Sequence, residues 1–240
     1  MKNLCMAVAL FAVTCSYGQW PFEKIQGNGH ITKESRSVGD YTAVSSSGFW
    51  DVMIAYGESN SIQLEGDENL LPYIETKVED GKLTIKSKKN ANLRSKNKMT
   101  IYVSLTKMTG VSLSGSGDMI GKGKFENAGD TEIKLSGSGS INIDFNKVNT
   151  LNLSISGSGN IRLSGASRQM SARISGSGNA DCSGLNTDEV SAMISGSGNI
   201  KVYANEKVEA RISGSGNVYY KGSANDVSKH VSGSGRVIKS

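Results

Sequence analysis

The stretch Leu151-Asn152-Leu153-Ser154-Ile155-Ser156-Gly157-Ser158-Gly159-Asn160-Ile161-Arg162-Leu163 decides the fold. Every second residue from Leu151 onward is apolar or glycine, and the residues between them are Asn, Ser and Arg. An alternation of period 2 marks a half-buried β-strand, because successive side chains leave opposite faces. Here it runs through the glycines unbroken, a register that a flexible Gly/Ser linker has no reason to keep. The same rule orders Met170, Ala172, Ile174, Gly176, Gly178, Ala180 and Cys182, and it recurs from Val190 to Val202 and from Val208 to Val218. Both glycines therefore take the inward parity and the serines point out. An inward glycine marks a bend in the wall, or a backbone approach too close for a Cβ.

Ser-Gly-Ser-Gly occurs seven times, beginning at Ser114, Ser136, Ser156, Ser175, Ser195, Ser213 and Ser232. Successive starts are 22, 20, 19, 20, 18 and 19 residues apart. A fixed period near twenty is the mark of a solenoid, in which each repeat buries its apolar face against its neighbours. No repeat holds a helical pattern, which excludes the helix-based arrays, and a propeller blade needs about twice this period. Calcium-binding rolls require an Asp in each Gly-rich turn, and only Asp118 supplies one. A left-handed hexapeptide helix requires a strict multiple of six. The reading is all-β: a right-handed parallel β-helix with about 20 residues per coil.

Residues 1–18 read as a secretory signal, with Lys2, an apolar run from Leu4 to Val13 and a small-residue site at Ser16-Tyr17-Gly18. This places the protein outside the cytoplasm: periplasmic, outer-membrane-associated or extracellular. Cys15 opens an alternative route, lipidation after cleavage, although Thr14 stands where a smaller residue is usual. No other segment is apolar and long enough to span a bilayer as a helix. Cys182 has inward parity and reads as a buried small hydrophobe. The net charge of +5 is too small to require an anionic partner.

Residues 19–36 read as an extended lead-in, 37–110 as irregular β coils that cover one end of the rod, and 111–240 as the regular β-helix. Asp80-Gly81 is a hairpin turn signal, Asn69 to Ile74 a short helical turn around Pro72, and Ser45-Ser46-Ser47-Gly48 a degenerate eighth copy. Trp20, Phe22, Phe49 and Trp50 read as packing of that end. Only Arg236 to Ser240 follow the last copy. The final coil is then an open edge, either blunted by Arg236 and Lys239 or covered by a second copy of the chain.

Function must be read from the outside of the rod. The residues after each tetrapeptide are Asp118, Ser140, Asn160, Asn179, Asn199, Asn217 and Arg236. Stacking aligns them, so Asn160, Asn179, Asn199 and Asn217 either bond one another or form a flat amide-rich strip that meets a glycan. Lys82, Lys86, Lys88, Lys89, Arg94, Lys96 and Lys98 crowd a segment with no acid. They form either a solvated loop or a site for anionic polysaccharide or lipid headgroups. That segment has no aromatic residue for base stacking, so nucleic acid is not indicated. The two histidines, His30 and His230, lie at opposite ends of the chain. Asp144, Asp181 and Asp188 are scattered with respect to the repeat. Neither a catalytic set, a metal site nor a cofactor is indicated.

The repeat, together with Gly66-Asp67-Glu68-Asn69-Leu70-Leu71 and Val78-Glu79-Asp80-Gly81-Lys82-Leu83-Thr84-Ile85, resembles the head GIN domain family over nearly the whole chain after the signal. Members of that family are labelled as candidate autotransporter adhesins. The resemblance implies a β-helix-like fold at the cell envelope or outside it, with no catalytic residues to carry over. No autotransporter barrel follows the repeats. The leading expectation is an exported, non-catalytic surface-contact protein: an adhesin, or a glycan-binding or structural module whose partner is a surface glycan or an envelope protein. A polysaccharide lyase or hydrolase on the same scaffold is the alternative.

Overall fold

The computed structural model describes residues 23–240, so the signal segment, Cys5, Cys15, Trp20 and Phe22 lie outside the described residues. The chain runs through β1 (Glu23–Gln26), β2 (Ile31–Arg36), β3 (Ala43–Gly48), β4 (Asp51–Tyr56) and β5 (Ser61–Asp67). A 3-10 turn (Leu71–Tyr73) leads into β6 (Ile74–Glu79), β7 (Lys82–Ser87), β8 (Ala91–Arg94), β9 (Thr100–Leu105) and β10 (Gly110–Gly115). Long bent strands follow: β11 (Asp118–Gly137), β12 (Ser140–Gly157), β13 (Asn160–Gly176), β14 (Asn179–Gly196) and β15 (Asn199–Gly214). The chain closes with β16 (Asn217–Lys221), β17 (Asp226–Gly233) and β18 (Arg236–Lys239).

From β10 to β18 every pairing is parallel and in register with the repeat: Ser156 lies on Ser136, Ser175 on Ser156 and Ser195 on Ser175. The result is a β-solenoid whose coils follow one another about 20 residues apart. The inward parity holds. Leu151, Leu153, Ile155, Ile161 and Leu163 are each at most 2% exposed, and their counterparts on neighbouring coils join them in one continuous core. Register shifts on the far side of each coil, as between Asp144 and Val148, absorb the variable repeat length.

The tetrapeptide is a corner, and its two glycines differ. Gly157 is only partly buried and has φ +120°, a backbone state open to glycine but not to a branched residue. It turns the chain so that the next two N–H groups, of Ser158 and Gly159, both donate to the Gly137 carbonyl of the coil beneath, each at 3.0 Å. Gly159 faces inward: a Cβ there would stand 2.5 Å from the Gly139 carbonyl oxygen and 2.6 Å from Leu135 Cδ2. Inward parity thus explains the second glycine of each copy, and backbone conformation explains the first.

The degenerate copy is shifted two residues from its expected place. Gly48 pairs with Gly115 and Ser47 with Ser114, so Ser47-Gly48-Phe49-Trp50 is the segment aligned with Ser114-Gly115-Ser116-Gly117. Trp50 stands where the inward glycine would be, 1% exposed, with its Nε1–H donating to Ser46 Oγ at 3.0 Å.

Coil order near this end does not follow chain order. β3 lies between β10 and β7, and β4 lies between β11 and β9. The coil made by β7 and β9 is therefore outside the one made by β3 and β4. Antiparallel strands then close the stack, with β6 on β7, β5 on β9, and β2 on β5. The hairpin turn falls at Asp80-Gly81, both with positive φ, as the sequence indicates.

Candidate functional site

Three rows of side chains run along the outside of the rod and meet at the Ser-Gly-Ser-Gly corner. The residue after each corner forms a bonded ladder. Asn179 Nδ2 donates to Asn160 Oδ1 at 3.2 Å, Asn199 Nδ2 to Asn179 Oδ1 at 3.0 Å, and Asn217 Nδ2 to Asn199 Oδ1 at 3.2 Å. Further along, the backbone N–H of Arg236 reaches Asn217 Oδ1, that of Ser140 reaches Asp118 Oδ1, and that of Asp118 reaches Asp51 Oδ1. The structure therefore brings Asn160, Asn179, Asn199 and Asn217 together. Each amide carries two N–H donors, and the bonds between neighbours use one of them.

Beyond the ladder lies a second outward row: Asn142, Arg162, Asp181, Lys201 and Tyr219 on successive coils. Ladder and row together line a groove of about 990 Å³. Asp181 is held below the usual carboxylate range, first by the hydrogen bond from Ser183 Oγ and then by the nearby Lys201 and Arg162 charges.

The serines differ from the asparagines. Both serines of every copy, from Ser114 and Ser116 to Ser232 and Ser234, are exposed. They take no part in the side-chain bonds that tie the ladder. They form two hydroxyl rows that advance one step of about 4.8 Å per coil. A second groove of about 540 Å³ runs beside the first of these rows.

The basic segment is divided. Lys86 continues the serine row beyond Ser47 and pairs with Glu75 at 3.7 Å, and Lys98 pairs with Asp51 at 2.7 Å. Lys88, Lys89, Arg94 and Lys96 have no ion-pair partner among the described residues. They surround β8, which among the described residues pairs only with β1, at the capped end and away from the asparagine ladder.

One organised polar cluster escaped the sequence reading. Asp67 is fully buried at the end of β5. It accepts from the Gly29 backbone N–H, the Ser95 hydroxyl, the Lys96 backbone N–H and Asn97 Nδ2. Burial pushes its carboxyl up, but the bonds from Ser95, Lys96 and Asn97 outweigh that and hold it at about 2. Asn69 adds two bonds to the lead-in, accepting from the Asn28 N–H and donating to the Gln26 carbonyl. The Gly66-to-Leu71 segment is thus a clasp. The acids and amides of that motif were the available signal, but no periodicity pointed to their partners.

Cys182 is buried, and burial pushes its thiol up to about 12, so it is an inert core residue as its parity implies. No group of three or more metal-ligating side chains occurs among the described residues. No helix among them is long and apolar enough to cross a membrane.

A family model described as "Putative auto-transporter adhesin, head GIN domain" matches residues 40–224. Among solved structures, a putative adhesin from Bacteroides fragilis NCTC 9343 is 23% identical with a TM-score of 0.85, over 90% of this chain and 100% of that one. A putative adhesin from Parabacteroides merdae ATCC 43184 is 24% identical with a TM-score of 0.72, over 90% and 99%. These two share the fold. A putative lipid binding protein from Parabacteroides distasonis ATCC 8503 is 27% identical with a TM-score of 0.75, over 91% and 100%. No curated protein matches the chain.

Proposed function

The chain belongs to the head GIN domain family, described as "Putative auto-transporter adhesin", and from that premise we propose that it is an exported, non-catalytic envelope protein whose outer Ser/Asn flank holds a surface glycan. The observation that carries this reading is the pair of serine rows: exposed hydroxyls, outside the ladder's bonds, repeated once per coil along the rod. A ladder locked by its own hydrogen bonds gives those rows a rigid frame. Groups ordered before the ligand arrives lose little entropy on binding. The non-catalytic part is supported by His30 and His230 lying at opposite ends of the chain, and by Asp144, Asp181 and Asp188 falling in different rows.

The test is a glycan array probed with the purified protein at low and high salt. Binding that survives high salt assigns the contact to the serine and asparagine flank. Replacing Ser156, Ser175 and Ser195 together by Ala is expected to weaken that binding at least about tenfold, with the thermal midpoint unchanged. An unaltered affinity would remove the serines from the contact. A second reading is favoured by the unpaired cations Lys88, Lys89, Arg94 and Lys96: the capped end meets an anionic lipid or polysaccharide surface through screened attraction. Binding lost at high salt and in a Lys88→Gln, Lys89→Gln, Lys96→Gln variant would assign the contact there instead.

A further inference from the structure

The groove beside the first serine row carries charge in a pattern of its own. The outward row that forms its wall reads Ser112, Lys134, Ser154, Arg173 and Met193 on successive coils, and the same row continues past the groove to Arg211 on the next coil. Cations therefore occupy every second coil, about 9.6 Å apart, with a short or neutral side chain between them. The groove runs along the rod axis, with Leu135, Ile155 and Ile174 among its lining and the serine hydroxyls on its other side. Lys134 and Arg211 are partnered by Glu132 and Glu209 on their own strands. Arg173 is exposed and has Ser171 in the corresponding place, with no ion-pair partner among the described residues. Exposed pairs of that kind are weak and are readily exchanged for a ligand carboxylate.

We infer that this groove takes a linear acidic glycan lying along the rod, with carboxylates on every second sugar set against Lys134, Arg173 and Arg211. The inference rests on the glycan reading above and names the class of glycan. A carboxylate at each cation forms a charge-assisted hydrogen bond, bidentate with Arg. The sugar hydroxyls between them meet the serine row, and their C–H faces lie over Ser154 and the exposed Met193. The opposite groove fits a polyanion poorly, because its row places Asp181 between Arg162 and Lys201. An acyl chain is a poorer occupant too, since the groove is open along its length and leaves apolar surface in water.

The experiment uses the full chain with three probes: hyaluronan, whose carboxylates recur at every second sugar, its carboxyl-reduced neutral form, and phosphatidylglycerol vesicles. Hyaluronan is expected to bind at least about tenfold more tightly than the reduced polymer. Arg173→Gln is expected to weaken hyaluronan about tenfold and leave the reduced polymer unchanged, and Arg162→Gln to alter neither. Equal affinity for both polymers, with Arg173→Gln silent, would overturn the acidic class and leave glycan contact standing. Binding to neither polymer, while arrays also stay blank, would overturn both readings. Binding to vesicles alone, lost in Arg173→Gln, would assign these cations to a membrane surface and overturn the inference.

Discussion

At Gly196 the backbone has φ +129°, and the carbonyl of Gly176 in the coil beneath lies directly against the place a Cβ would take. Ser197, one residue on, is exposed, and the Ser side chain points to solvent. Two neighbours in one corner thus face opposite demands. Gly196→Val forces a branched side chain into a left-handed backbone and into the coil below, and is expected to cost more than about 3 kcal/mol. Ser197→Val places an apolar group in water without disturbing a bond, and is expected to stay within about 0.5 kcal/mol. Thermal midpoints of the two variants, measured side by side, decide the matter, and similar losses in both would refute the corner geometry.

Among the elements, β1 and β8 depend most on a single side chain. Among the described residues they pair only with each other, and Asp67 fixes the turns that hold them through Gly29, Ser95, Lys96 and Asn97. The carboxyl is held at about 2, against an ordinary value of 3.8. Because the folded value is the lower one, its contribution is complete above pH about 4 and is lost as pH falls from there toward 2. Amide protection in β1 and β8, taken relative to the intrinsic exchange rate at each pH, is expected to fall across that window in the natural chain. Asp67→Asn, which keeps the shape and loses the charge, is expected to exchange faster at pH 6 and to show no such step. A step of equal size in the variant would place the titration elsewhere. This clasp also shows where sequence reading stops. Period-2 alternation reveals Leu151, Leu153 and Ile155 as core because each repeats a rule, and it reveals the Asn160-to-Asn217 row for the same reason. Parity is blind to φ, so it could not separate Gly157 from Gly159. Nothing periodic connects Asp67 to Ser95, or places β7 and β9 outside β3 and β4, since those contacts are made by loops that occur once.

Across the whole molecule, the two ends of the stack are finished by different means. One is closed by antiparallel strands. At the other, among the described residues, β17 pairs only with β15 and β18 only with β16, leaving one edge of each unpaired there. Register puts Lys229 over Ala210 and Lys239 over Tyr220, positions that are buried in the coil below. Lys229 crosses the open end: its Nζ donates to the Val237 carbonyl at 3.3 Å and lies 5.5 Å from the centre of the Tyr220 ring. An inward lysine at a sheet edge penalises any strand that would add there, because the amine would have to be buried. Lys229 thus joins Lys239, which the sequence also points to, as a lysine in inward register at this edge. The apolar residues beside it, Val227 and Val237, with Val231 at 41% exposure, are the surface a second coil would cover if the charge were absent. Light scattering of the natural chain is therefore expected to give a monomer over a wide concentration range. Lys229→Leu restores the alternation of the inward row along β17 and leaves that strand's edge unguarded, with Lys239 remaining on β18, so it is expected to self-associate in a concentration-dependent way at an unchanged or higher thermal midpoint. A natural chain that already dimerises, or a Lys229→Leu variant that stays monomeric, would show that the lysine is not what keeps this end of the rod free.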